Sequence, residues 1–178
     1  TPRVILCPDE ATAVAAAHGY FVATKEVQVV LVHVDAGTLN LGGNMHDAQR
    51  GRAGIVICAG RAPLTFDGEM PGTRSMNINW TQEQLDQAGI LRNFTKWDYE
   101  ARRPDNIQYI VQRAFQVASS EPCGPVYITL PREVLMEQIK EVTIPLSNRF
   151  SSPVTPQADP SAVEEIADAL VNARSPLV

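Results

Sequence analysis

Apolar residues along this chain come in short, nearly unbroken runs separated by stretches with helical spacing. Residues 3–7 (RVILC), 27–34 (VQVVLVHV), 54–60 (GIVICAG) and 123–131 (CGPVYITLP) are such runs, closed by Pro, Gly or Asp. Runs of this length and β-branched content read as strands. Apolar side chains at consecutive positions imply burial on both faces, as in a parallel sheet covered by helices. Residues 10–22 predict a helix in which Ala13, Ala15, Ala16 and Ala17 allow close packing on the sheet, with Gly19 weakening its end. A glycine-bearing loop over 35–43 leads into a second helix at 44–49. From Pro104, residues Ile107, Ile110, Val111, Ala114, Val117 and Ala118 share one face of a helix that stops before Pro122. Alternating strands and helices make βαβ units. The expected fold is α/β, an open parallel sheet flanked by helices.

Other stretches depart from this rhythm. Residues 61–80 carry Pro63, Gly68, Pro71 and Gly72 with little periodicity, and read as a long loop over the sheet edge. Residues 81–91 (TQEQLDQAGIL) predict a short helix, and 94–97 (FTKW) a further strand. REVLMEQI, after Pro131, predicts another short helix. Residues 140–160 then collect Pro145, Pro153, Pro156 and Pro160 with several serines, a linker composition. Asp159 and Pro160 start a last helix with Val163, Ile166, Ala167 and Leu170 on one side. The chain opens at Thr1 almost directly on a strand, and its final SPLV stops where another strand is due. Both ends read as cut.

Composition narrows the function classes. At 178 residues the chain has room for one domain, or one with a piece of another, and 44% hydrophobic residues supply a core. The net charge is -5, and the basic residues are scattered apart from Arg50 with Arg52 and Arg102 with Arg103. That distribution argues against nucleic acid as a partner, because phosphate neutralisation needs clustered Lys and Arg. No apolar run is of membrane-spanning length and no signal peptide is evident, so no membrane association and a cytoplasmic location are expected. Cys7, Cys58 and Cys123 form no CxxC pair and suit a reducing compartment. His18, His33 and His46 lack ligand spacing, so no metal site is expected in this chain. No G-x-G-x-x-G follows a strand, which disfavours a dinucleotide site.

The candidate chemistry lies at Glu10. Pro8 closes the first run, Asp9 is a good N-cap, and Glu10 falls in the first helical turn, where the helix dipole favours an anion. Capping alone accounts for an acid there. Yet a strand-to-helix junction also sits at the carboxyl edge of a parallel sheet, where open α/β folds place ligands. The Ala36-Gly37-Thr38-Leu39-Asn40 stretch reaches the same edge, and is equally readable as an ordinary strand-to-helix turn suited to Gly and Asn.

Pro8-Asp9-Glu10 before an alanine helix with Gly19-Tyr20, then Ala36-Gly37-Thr38-Leu39-Asn40, resembles the pyrimidine-binding domain of thiamine diphosphate enzymes, and within them the acetolactate synthase-like group. Ala59-Gly60-Arg61-Ala62-Pro63, Gln82-Glu83, Thr95-Lys96-Trp97 and Gly124-Pro125-Val126-Tyr127 leading to Leu130-Pro131-Arg132-Glu133 extend the match, from about Pro2 to Glu137. Asp9 stands where the family commonly has His, and Thr81 where it often has Phe. The resemblance implies a pyrimidine-binding domain over residues 1–139 lacking its first strand and helix, a linker over 140–158, and the start of a central domain over 159–178.

By the same resemblance Glu10 is catalytic, its carboxyl group activating the cofactor by a hydrogen bond to a ring nitrogen of the aminopyrimidine. Ala36, Gly37 and Asn40 join Glu10 in binding the cofactor. Gln82 lies near the substrate, and Lys96 has a structural or site-edge role. The implied cofactors are thiamine diphosphate and Mg2+, held by a diphosphate-binding domain absent from this chain, whose Gly-Asp-Gly motif does not occur here. The implied partners are a 2-keto acid substrate, decarboxylated and ligated to a second carbonyl, and the diphosphate domain of another subunit or fragment in a homodimer or tetramer. The alternative is a non-catalytic pairing or binding domain in which Glu10 merely starts a helix.

Overall fold

In a computed structural model, four strands form one wholly parallel sheet in the order β1-β2-β4-β3. They are β1 Gln28–Val32, β2 Ile55–Arg61, β3 Trp97–Glu100 and β4 Val126–Pro131. The helices are α1 Glu10–Thr24, α2 Val34–Leu39, α3 Gly42–Arg50, α4 Ile78–Thr81, α5 Ile107–Ser119, α6 Arg132–Met136 and α7 Pro160–Asn172. The structure describes residues 2–144, 147–154 and 156–177; Thr1 and Val178 at the chain ends and Pro145 of the linker lie outside these.

Side chains alternate across the central strands, as the pleat requires. On one face Val30, Val32, Ile55, Ile57, Ala59 and Tyr127 pack with Val14, Ala17 and Phe21 of α1 and Met45 and Ala48 of α3. On the other, Val56, Val126 and Ile128 pack with Ile110, Ala114 and Ala118 of α5. The expected open parallel sheet with helices on both faces is present. α1 and α5 form as expected: Asp9 accepts a hydrogen bond from the Thr12 amide at 2.7 Å, and α5 buries Ile110, Ala114 and Ala118 of the predicted stripe, with Ile107 and Val117 half-buried and Val111 exposed; in α1, Ala17 is buried while Ala15 and Ala16 face solvent.

Several elements differ from their expected form. Residues 3–7 form no strand, and Val4, Ile5 and Leu6 are 90%, 70% and 97% exposed. A strand needs neighbouring backbone to satisfy its N–H and C=O groups, and none of the described residues pairs with this segment. β1 is an edge strand buried on one face only, since Val29 and Leu31 face solvent while Val30 and Val32 face the core. The helix that covers the second face, α5, lies over β2, β4 and β3. The stretch expected as a loop after β1 is instead α2, entered through Val34 at φ 35°. A β-branched residue there is strained, at a cost on the order of 1–3 kcal/mol.

No continuous helix spans 81–91. That region contains the end of α4 and a 3-10 turn at Ala88–Ile90, with Leu85 wholly exposed, and a second 3-10 turn follows at Arg92–Phe94. The strand predicted at 94–97 lies three residues later, as β3, where Trp97 and Tyr99 pack on the α5 side. Asp159 caps α7 as expected, accepting from the Ser161 amide, and the apolar side chains Val163, Ile166 and Leu170 remain solvent-facing among the described residues.

Candidate functional site

Glu10 begins α1, and its carboxylate meets the α2 turn at the carboxyl ends of the strands. The Asn40 amide donates to Glu10 Oε2 at 3.0 Å. Gly37 lies against the other oxygen: a Cβ there would stand 3.3 Å from Glu10 Oε1 and 3.1 Å from Val32 Cβ. Glycine is required by this close approach rather than by backbone conformation. The corner is fixed from both sides, because the Gly37 amide donates to the His33 carbonyl at 2.7 Å and the Asn44 amide side chain donates to the Ala11 carbonyl. The structure therefore brings Glu10, Gly37 and Asn40 together. Ala36 shares the turn but is exposed, with its N–H donated to Asp35 Oδ1 and its carbonyl accepting from Asn40.

Behind the corner runs a buried polar chain that pattern reading missed. The hydroxyls of Thr38 and Tyr127 are 2.7 Å apart, and the Gln87 amide donates to Tyr127 Oη at 2.9 Å and to the Gly60 carbonyl at 2.8 Å. Gln84 adds a second tie, donating to the buried Asp35 carboxylate at 3.1 Å. Through these contacts the α2 turn, the end of β2, the start of β4 and the 84–91 segment hold one another. A tyrosine inside a buried strand was the available signal, since a buried hydroxyl needs a partner. Burial pushes the Tyr127 hydroxyl's pKa up, against the lowering effect of its bonds with Thr38 and Gln87.

Gln82 lies apart from Glu10, in a separate open cleft of about 350 Å³ that does not include Glu10. The start of α2 (His33, Val34), the end of β2 (Arg61) and the Leu130 to Leu135 stretch form its walls, under the 76–82 segment. Around it the long loop is held by buried charge. Glu133 Oε1 accepts from the amides of Leu64 and Thr65 and from the Thr65 hydroxyl, at 2.7, 2.8 and 2.7 Å. Burial alone would raise the Glu133 pKa, but these donors outweigh it and hold the group below its ordinary value.

Arg74 is buried, stacks 4.2 Å over the Trp80 ring and donates to Glu83 at 2.5 Å. That bond keeps the Glu83 pKa below the ordinary carboxylate value. Lys96 is structural: its ammonium donates to the carbonyls of Val117 and Ser120 at 2.6 Å each, closing the end of α5. Burial pushes the Cys58 thiol up to about 11, so it remains protonated and inert near neutral pH. Among the described residues no three His, Cys, Asp or Glu side chains cluster to hold a metal, and no helix is long and apolar enough to cross a membrane.

Comparison with known proteins follows the same geography. Residues 1–90 match the family model described as thiamine pyrophosphate enzyme, N-terminal TPP binding domain. The mitochondrial acetolactate synthase of Schizosaccharomyces pombe is 28% identical over 182 residues, covering 98% of this chain and 26% of that protein. The acetolactate synthase large subunit of Lactococcus lactis is 27% identical over 174 residues, again covering 98% of this chain and 28% of the relative. Among solved structures, benzoylformate decarboxylase from Polynucleobacter necessarius superposes with a TM-score of 0.74 at 27% identity, over 97% of this chain and 30% of that one. This chain spans about a quarter of the length of the curated relatives it matches.

Proposed function

This chain belongs to the thiamine pyrophosphate enzymes, matching their N-terminal TPP binding domain, and from that premise we propose that it forms the cofactor-activating part of a lyase or transferase acting on 2-keto acids. The reaction is decarboxylation with carboligation, of the acetolactate synthase kind. One observation carries the reading: a carboxylate at the sheet's carboxyl edge, oriented by Asn40 on one oxygen, with the other against Gly37, where no side chain covers it.

The residues fit an aminopyrimidine. Among the described residues Glu10 Oε1 accepts no hydrogen bond, and the absence of a side chain at Gly37 leaves the space beside it that a Cβ would fill. Thiamine diphosphate, when bound, supplies the carbon nucleophile and the electron sink for loss of CO2 from a 2-keto acid. Glu10 holds a proton at Oε1 for a ring nitrogen and takes it back. Asn40, by engaging Oε2, orients the carboxyl group for that exchange. Gly37 and Ala36 set how near the α2 turn allows a ring to come. Gln82 contacts the substrate from the neighbouring cleft.

Residues 1–139 serve as the pyrimidine-binding domain, 140–158 as linker, and 159–178 as the opening of a central domain, whose partner surface would cover the apolar side of α7. The diphosphate and its Mg2+ belong to a domain contributed by another subunit, so the assembly is a homodimer or tetramer. Three free cysteines suit the cytoplasm. The test is Glu10→Gln in the native-length protein: 2-keto acid turnover is expected to fall by roughly 10²–10⁴ with the fold retained, the range for loss of a positioned proton-transfer group. Undiminished turnover refutes the cofactor role. Absence of any turnover or cofactor binding in the wild type favours a non-catalytic pairing domain.

A further inference from the structure

We propose that Gln87, Tyr127 and Thr38 form a one-way hydrogen-bond chain that positions the α2 turn and, through Asn40, the Glu10 carboxylate. All three side chains are buried, so bulk water reaches none of them. The direction of each proton follows from what its partner can do. The Gly60 carbonyl only accepts, so the Gln87 group 2.8 Å from it is the NH2, whose second hydrogen points to Tyr127 Oη at 2.9 Å. Thr38 has a single hydroxyl proton, and the Val34 carbonyl 2.6 Å away can only accept it. The 2.7 Å contact between Tyr127 and Thr38 is therefore donated by Tyr127. Donation runs from Gln87 to Tyr127 to Thr38 to the Val34 carbonyl, and reversing a member would strand a buried proton without an acceptor.

Both ends of the chain close on one contact. Val34 enters α2 at φ 35°, and its Cγ2 stands 3.3 Å from where a Cβ would sit on Gly60, the residue whose carbonyl takes the other Gln87 hydrogen. A strained backbone persists only where its surroundings over-determine it. Here Thr38 fixes the Val34 carbonyl and Gly60 admits its side chain, while Gln84 holds the next residue, Asp35, at 3.1 Å. With six residues α2 is too short to keep its place unaided, so what fixes Val34 and Thr38 also sets Asn40 on Glu10 Oε2. Tyr127 and Gln87 act on Glu10 only through this turn, as positioning residues. The proposal rests on the cofactor-activating reading for its consequence at the cofactor; the placement of Asn40 is independent of it.

The experiment uses the native-length protein in two states. Without cofactor, the side-chain NH2 resonances of Asn40, identified by their loss in Asn40→Ala, report the bond to Glu10. Tyr127→Phe and Thr38→Val are each expected to move them toward the position of a free amide, and Thr38→Ser, which keeps the hydroxyl, to leave them in place. With thiamine diphosphate bound, proton exchange at the thiazolium C2 should slow about fivefold in Tyr127→Phe at unchanged cofactor affinity, the factor matching one neutral hydrogen bond. In an Asn40→Ala background the same substitution should slow it no further, because the route to Glu10 is already cut. A chain that only stabilises the fold would lower the melting temperature and leave the Asn40 resonances of the folded protein where they are. Unmoved resonances in Tyr127→Phe and Thr38→Val overturn the proposal, as does a fivefold effect that persists in full without Asn40. Shifted resonances together with unchanged C2 exchange in Glu10→Gln would uphold the positioning chain and refute the cofactor role of Glu10.

Discussion

The Glu10 corner and the 61–94 crossing lie at the same edge of one sheet, yet they are held by different means. The corner is built from local backbone and two exposed or half-buried side-chain ties: a cap from Asp9 to Thr12, a turn closed by Gly37 to His33, and contacts from Asn40 to Glu10 and from Asn44 to the Ala11 carbonyl. The crossing has little regular structure. It is held by buried polar side chains reaching from far away: Glu133 to Leu64 and Thr65, Arg74 to Glu83, and Gln87 to Gly60 and Tyr127. A corner of the first kind tolerates loss of one contact. A crossing of the second kind depends on each buried charge being satisfied.

The largest stability effect should come from Glu133→Ala. It leaves buried donors at Leu64 and Thr65 without a partner, and should cost about 3 kcal/mol in urea unfolding, with early proteolytic cleavage inside 61–80. A loss below 1 kcal/mol would erase the contrast between the two regions. The same carboxylate gives a pH dependence. Its folded pKa lies below the ordinary 4.5, so its contribution is fully present above 4.5 and is lost as the pH falls through the lower folded value. Acid unfolding of the wild type should therefore begin below pH 4.5, and Glu133→Gln should flatten that slope.

Tyr127→Phe tests whether the regions are coupled. Removing the hydroxyl that bridges Thr38 and Gln87 should cost about 1 kcal/mol and speed amide exchange in both 34–40 and 84–91. Faster exchange in only one segment would show that the buried chain does not link them. The smallest effect belongs to Asp9→Ala, where loss of the α1 cap should cost about 1 kcal/mol or less at an exposed helix start and leave the crossing untouched. Thermal unfolding of the variant, compared with Tyr127→Phe, orders the two.

The same contrast explains what the sequence disclosed. Asp9 and Glu10 were legible as a helix start from the local rules of capping and helix dipole, whereas Gly37 and Asn40 were singled out by the family resemblance, since local rules make them an ordinary turn. The α5 stripe and the central strands followed from periodicity. Residues 3–7 misled because apolar runs announce strands whether or not a neighbour exists to pair with them. The α2 turn was hidden because a helix entered through a strained valine contradicts local preference and survives through tertiary contacts. Residues 81–91 carry helix-forming residues, but Gln84 and Gln87 are drawn into bonds with Asp35, Gly60 and Tyr127 that no window of sequence contains.

Proton exchange at the thiazolium C2 of bound thiamine diphosphate, followed by NMR in the native-length protein, addresses the role of Glu10 most directly. It isolates cofactor activation from substrate binding and product release. With Glu10→Gln the exchange rate should fall by roughly 10²–10⁴ while the cofactor still binds. Exchange at the wild-type rate in that variant would contradict the assignment of Glu10 as the activating carboxylate.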